Sequence, residues 1–297
     1  MIFSEEQDIK INCVFGYIMS KDLIIEQLQK LSGHSLVELT TRGNTAISAA
    51  LSVVVSSGGF GKKVLIPAEG GWLTYKTIPK KLGLEIVEVR CCDAVLDLGE
   101  LHRLLETKEF GALLYQNPAG YFAKQPMREI YELCSLHNCI VVLDVSGGIG
   151  TELCSGEFAD IIVGSFGTWK LVEAKGGGFV STSNKKLFEV MCEKGIERLE
   201  DAGQMDVIYT ELGKLAGRIE MLLGFRQKVV DDLIDLKLDV VHADAVIGFV
   251  VVVRFNSEYE KDKIVDYCNA SGWEYTECPR YIRLNQPAIS IELKRKE

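Results

Sequence analysis

The chain has 297 residues, 47% hydrophobic and 25% charged, which is the composition of a core-rich globular protein long enough for a large domain and a smaller one. A formal charge of −9 argues against a broad nucleic-acid surface, because neutralising phosphates requires a basic face. No apolar run reaches the roughly 18 residues of a membrane span, and the start MIFSEEQDIK lacks a basic-then-apolar leader, so a cytoplasmic protein without membrane contacts is expected.

Along the chain, apolar residues recur at helical period from Lys21 to Leu31, and NTAISAALSVVVSS predicts a second helix built of small residues. Strands and helices then alternate. KVLIPA, EIVEVR, GALLYQ, CIVVLDV, ADIIVGSF and GGFVST read as strands. WLTYKTIPKKLG, LDLGELHRLLETK, QPMREIYELCSLHN and NKKLFEVMCEKG read as helices. A long helical stretch is expected from Met205 to Leu236. Beyond it come strand VIGFVVVVRF, helix SEYEKDKIVDYCNASG, strand WEYTEC and a last strand pair in RYIRLNQPAISIEL. This alternation predicts an α/β fold, a mainly parallel sheet between helical layers, followed by a small C-terminal α+β domain. The expected divisions are an arm and helix over 1–34, a large domain over 35–203, connecting helices over 204–240 and the small domain over 241–297. Nine scattered cysteines without a CxxC pair suggest reduced thiols, and four histidines away from ligand spacing predict no metal.

Ligands of such sheets gather beyond the carboxyl ends of the strands, and four polar features fall there. TTRGNTAISAAL places a glycine and small polar residues at a helix start, where free N–H groups bind anions and where a plain cap reads the same. Asp144 is the first charge after five apolar residues in CIVVLDV, either a partner for a cation or the cap of the next loop. Asn117 in YQNPAGY stands at a strand end that is also an ordinary turn sequence. Lys170 lies between two core strands, either exposed in a loop or partly desolvated so that its amine can attack an aldehyde. Together, in this order, they supply what pyridoxal phosphate needs: a phosphate cup, a donor to the ring hydroxyl, a partner for the ring nitrogen and a Schiff-base lysine.

The chain resembles the fold-type-I pyridoxal-phosphate enzymes of the aspartate aminotransferase superfamily, above all the DegT-type sugar aminotransferases and the cysteine-desulfurase-like branch. RGNTAISAAL is similar to the DegT-type SGTAALHLAL, which implies that Gly43, Asn44 and Thr45 hold the phosphate. Trp72 stands where that family stacks an aromatic ring on the cofactor. NPAG resembles NPTG, placing Asn117 by the ring hydroxyl, and VVLDVSGGIG resembles D-x-x-Q-x-x-G, placing Asp144 on the ring nitrogen. SFGTWKLVEAKGGGFV aligns without gaps with SFHPTKNLTTGEGGMV and SFSAHKIYGPKGIGAL, which makes Lys170 the Schiff-base lysine and Ser165 a phosphate ligand, and leaves Lys175 in the loop. PRYIRLNQ is similar to the late strand whose arginine clamps the substrate carboxylate, implying Arg283, with Arg280 second. Arg42, where the families usually have serine, is a further cation near the cleft.

The resemblance implies a homodimeric aminotransferase that moves an amino group from a small-molecule donor to a keto acceptor, an amino acid or sugar. A lyase or desulfurase using the same cofactor is the alternative and needs a nucleophilic cysteine near Lys170; Cys154 is nearest in sequence. A non-catalytic relative that binds the cofactor is the third reading. Three departures stand out: Gly147 replaces the usual glutamine, Trp169 precedes the lysine where the desulfurase-like branch has histidine, and the chain is short for the superfamily.

Overall fold

The computed structural model describes residues 20–56, 61–194 and 196–296, so most of the expected N-terminal arm lies outside the described residues. Helix α1 covers 20–32 and buries Ile24 and Leu28, one turn apart on one face. Strand β1 (Leu36–Thr40) leads into α2 (Gly43–Ser56), whose Ala46, Ala49 and Ala50 are buried and let it lie close against the sheet. Strand β2 (Lys63–Pro67) is followed by two short helical pieces rather than the single helix predicted over WLTYKTIPKKLG. A 3-10 turn (Leu73–Lys76) gives way to α3 (Ile78–Lys81), with Pro79 in its first turn. Proline has no N–H to continue a helix and is tolerated only where a helix starts.

Strand β3 (Glu85–Val89), the ribbon β4 (Cys91–Cys92) and β5 (Val95–Leu96), and α4 (Leu98–Leu105), capped by Asp97, come next. Then follow β6 (Phe110–Gln116), α5 (Met127–Leu136), β7 (Ile140–Asp144), β8 (Ile161–Ser165), β9 (Gly178–Thr182) and α6 (Lys185–Glu193). The strands order as β1-β9-β8-β7-β6-β2-β3, and all pairings are parallel except the two made by β9. Strands β6 and β7 are buried along their whole length, which explains their continuous apolar runs. Alternate residues serve two cores. Val64, Ala112, Leu114, Val142 and Val163 pack with α2, whereas Leu65, Leu113, Val141, Leu143 and Ile162 face the opposite layer.

The stretch predicted as one helix to Leu236 divides at Lys214 into α7 (Ala202–Gly213) and α8 (Leu215–Asp235). A second, antiparallel sheet follows, ordered β10-β11-β13-β12, from β10 (Asp239–Val240), β11 (Val251–Arg254), β12 (Tyr275–Cys278) and β13 (Ala288–Ile291). Helix α9 (Glu258–Ser271) packs on β13 and ends on Gly272 in the left-handed region. The last strand pair is corrected: only 288–291 is a strand. Residues 280–284 turn tightly, the Arg280 N–H donating to the Leu284 carbonyl and the Arg283 N–H to the Arg280 carbonyl. Arg283 therefore sits in a loop rather than on the expected strand. A 3-10 turn, Leu293–Arg295, then carries the chain toward the carboxyl edge of the large sheet.

Candidate active site

A cavity of about 870 Å³ opens at that edge, where β1, β6, β7 and β8 end in Thr40, Gln116, Asp144 and Ser165. Lys170, Asp144, Trp72, Ser165, Gly43 and Asn44 line it, from four separate segments of the chain. The small sheet's side adds Arg280, Arg283, Lys294 and Arg295.

Lys170 hangs from the loop between β8 and β9. That loop is held by its own backbone: the Ser165 hydroxyl accepts from the Gly167 N–H at 3.3 Å, and the Ala174 N–H donates to the Phe166 carbonyl at 2.9 Å. The Lys170 amine is hydrogen-bonded to the Tyr121 hydroxyl and lies 4.5 Å from the centre of the Trp72 indole. Trp169, whose backbone adopts φ +60°, turns its ring outward, where the Arg295 guanidinium covers it at 4.3 Å. The residue before the lysine thus fastens this loop to the C-terminal turn.

Asp144 is 4% exposed, and its two oxygens take separate donors: the Tyr75 hydroxyl at 2.8 Å and the Ser146 N–H at 2.8 Å. Burial first, and then the Asp144 charge, push the Tyr75 hydroxyl well above its ordinary value, so it stays a donor. The glycine at 147 has a steric cause. A Cβ there would stand 2.5 Å from Cδ1 of Tyr121, whose ring fills the space a longer side chain would need. Installing the family's glutamine as Gly147→Gln should therefore destabilise the protein by about 1–3 kcal/mol. Pairing it with Tyr121→Ala should recover much of that loss in thermal denaturation.

At the other end, a Cβ on Gly43 would meet the Ser165 Cβ at 2.6 Å, so only glycine lets the start of α2 close against Ser165. The first turn of α2 carries no acid, and its Thr45 and Ala46 N–H groups donate to the Arg42 carbonyl at 3.1 and 3.2 Å, closing the turn that Gly43 and Asn44 open. Asn44 accepts from the Thr74 hydroxyl at 3.1 Å. Thr45 is not among the lining residues; its hydroxyl lies 3.2 Å from that of Thr41 and 3.4 Å from Glu197 Oε2.

Asn117 is fully buried behind the lining residue Gln116. Its side-chain oxygen accepts from the Gln125 N–H at 3.0 Å, while Nδ2 is buried without a partner. Arg283 borders the cavity but is not a free cation: one terminal nitrogen donates to both oxygens of Glu292 at 2.8 Å, and Nε donates to Ser290. Arg280 and Arg42 line the cavity with exposed side chains, and Lys175 lies at its rim. Two residues missed in the sequence matter here. Tyr121, the last letter of YQNPAGY, contacts the lysine, and Lys294 lines the cavity from a C-terminal run that reads as a solvated tail.

What such a cavity can hold follows from its two ends. The glycine cup at Gly43 and Ser165 suits a phosphate, and a carboxylate 4% exposed at a strand end suits a protonated ring nitrogen. Between them stand a flat indole and an amine that can condense with an aldehyde. These residues fit pyridoxal phosphate, and a parallel sheet with one reversed strand beside the lysine is the large domain of fold type I. The sequence profile of the DegT/DnrJ/EryC1/StrS aminotransferase family matches residues 24–221, two thirds of the chain. The chain belongs to that family and is a pyridoxal-phosphate-dependent aminotransferase.

Solved structures share the fold at low identity. PseC of Helicobacter pylori, an aminotransferase involved in the biosynthesis of pseudoaminic acid, superposes with a TM-score of 0.73 at 14% identity, over 92% of this chain and 85% of that one. DesI, solved in the presence of its TDP-sugar product, gives 0.73 at 15% identity over 91% and 78%. NtdA of Bacillus subtilis, with bound cofactor PMP, gives 0.73 at 14% identity over 95% and 77%. No curated protein matches the sequence.

Proposed function

We propose that the protein moves an amino group between an α-amino acid and a keto-sugar, with Lys170 as covalent anchor and proton carrier and Asp144 as partner of the ring nitrogen. The observation carrying this reading is the Lys170 amine, held between the Tyr121 hydroxyl and the Trp72 indole in the cavity that Asp144 lines. Bound there, pyridoxal phosphate supplies an aldehyde for amines to condense with and a ring that accepts the electron pair left by a departing proton.

The chain's own groups do the rest. Gly43, Asn44 and Ser165 hold the phosphate, Trp72 lends a flat face to the ring, and Asn117, with its unpaired Nδ2, stands in reserve as a donor behind Gln116. Thr45 backs the cup through Thr41. Lys170 would anchor the cofactor and hold and move the proton at its amine, and Tyr121 fixes where that amine points. Tyr121→Phe should lower kcat about 10- to 100-fold with little change in KM, the loss of one hydrogen bond to a charged group.

A sugar acceptor is supported by the relatives: PseC is involved in the biosynthesis of pseudoaminic acid and DesI was solved in the presence of its TDP-sugar product. The exposed Arg42 and Arg280 at the cavity wall suit the phosphates of such a substrate. A desulfurase is not favoured. Among the described residues no cysteine lines the cavity, and burial pushes the Cys154 thiol up to about 12, far from a ready nucleophile. Among the described residues no helix is long and apolar enough to cross a membrane. The family resemblance, rather than any contact in this chain, is what supports a cytoplasmic homodimer.

Incubation with pyridoxal phosphate should turn the protein yellow. An amino acid should bleach that colour and a keto acceptor restore it; a colourless protein sinks the proposal. Sulfide release from cysteine in place of bleaching would point to the desulfurase.

A further inference from the structure

We propose that Lys294, in the C-terminal turn Leu293–Arg295, receives the α-carboxylate of the amino donor in place of Arg283. This rests on the reading of Lys170 as the amine that the donor displaces.

The first ground is position. Lys294 is 8% exposed and lines the cavity, and its Nζ sits 3.8 Å from the centre of the Tyr121 ring. The hydroxyl of that same ring is bonded to Lys170, whose Nζ is 5.0 Å from the ring centre. In an α-amino acid a single carbon separates amine and carboxylate. A donor amine arriving at Lys170 therefore carries its carboxylate to the neighbourhood of this phenol, where Lys294 is the buried basic group without a short carboxylate partner.

The second ground is charge. Glu292 is shared by three cations: Arg283 holds both its oxygens at 2.8 Å, Lys294 stands at 3.5 Å and Arg295 at 3.9 Å. Arg295 has a second carboxylate, Glu274, at 3.0 Å. Lys294 has neither a bidentate partner nor a short one, since charge-assisted bonds run near 2.7–2.9 Å. Its other charged neighbours are Arg283, Lys170 and Arg295. Burial, reinforced by Arg283, drives its pKa well below the ordinary lysine value despite Glu292. A desolvated amine whose nearest carboxylate is already held by Arg283 is costly to charge, and a ligand carboxylate supplies a partner of its own. The proton comes from solvent as the anion binds. Arg283, already engaged by Glu292, would have to abandon a buried carboxylate to do the same.

The test uses protein loaded with pyridoxal phosphate and maleate, a dicarboxylate without an amine, in titration calorimetry. Wild type should bind maleate with proton uptake, seen as a heat that varies with the ionisation enthalpy of the buffer. Lys294→Met should weaken maleate roughly 10- to 100-fold and abolish the uptake. Inorganic pyrophosphate is run in parallel, and a loss confined to pyrophosphate overturns the assignment, as does unchanged maleate affinity in Lys294→Met. Removing a buried amine whose charging opposes folding should leave the melting temperature equal or higher. If the variant nevertheless fails to fold, Lys294→Gln, which keeps the reach of the side chain without its charge, is titrated in its place, and unchanged maleate affinity there refutes the proposal. A wild type that stays colourless with pyridoxal phosphate refutes the reading of Lys170 itself. Yellow protein with unaltered maleate binding refutes only the carboxylate anchor.

Discussion

Lys170→Ala should lower amino transfer by about 10⁴-fold or more, since one substitution removes both the covalent anchor and the proton carrier. It should also leave the cofactor removable after borohydride treatment, which fixes the wild-type linkage irreversibly. Lys170→Arg is the informative companion. It keeps a cation beside Tyr121 and Trp72, yet a guanidinium does not condense with aldehydes at neutral pH. If the arginine variant is as silent as the alanine one, the covalent role and not the local charge is what matters. The loop holds a second lysine at its rim, Lys175, exposed and with φ +59°. Borohydride fixation that survives Lys170→Ala and vanishes in Lys175→Ala would reassign the anchor.

Glu292→Gln should cost about 3–5 kcal/mol of stability, because it strips the carboxylate from Arg283, which is almost wholly buried. Chemical denaturation measures it, and the double variant Arg283→Met with Glu292→Leu should lose less, since the buried guanidinium leaves together with its partner and only Lys294 is deprived of Glu292. The pair has a pH signature. Burial alone would raise the Glu292 pKa, but Arg283, Lys294 and Arg295 outweigh it and hold Glu292 at about 2, against an ordinary 4.5. A carboxylate depressed in the fold stabilises fully above its unfolded value and loses that contribution as pH falls from there through about 2. Lys294 runs the other way. Its folded value lies below the unfolded one, so charging it opposes folding, and that penalty fades as pH rises toward 10.5. Denaturation curves that respond to acid identically in wild type and Glu292→Gln would contradict this account.

Much of the large sheet was legible because buried strands read as uninterrupted apolar runs: FGALLYQ and IVVLD are buried at every position. The candidate site was legible where a polar group stands out on an apolar background, as with Asp144 at the end of β7 and Lys170 in the loop after β8. Strand β1 escaped because LVELT is short and offers little alternation. The ribbon of β4 and β5 escaped because two-residue strands have no period at all. Tyr121 and Lys294 were missed for a different reason: their roles arise from contacts across the fold. Only in three dimensions does the Tyr121 ring cover Gly147, and only there does a basic C-terminal turn enter the cavity. Arg283 shows the converse, a motif position in the right region whose guanidinium is claimed by a carboxylate nine residues away.

The edge strand β1 also sets a timetable. It pairs antiparallel with β9, Thr40 opposite Gly178, and Gly43 follows it directly into the cup against Ser165. Pairing segments so far apart in sequence carries a large loop-closure cost and is characteristically slow. On the ribosome, the first strand must wait for nearly the whole large domain to emerge before it has a neighbour. With the phosphate cup proposed at Gly43 and Ser165, its assembly is a late event in folding, and yellow colour in a refolding sample should mark the closing of the sheet rather than its beginning.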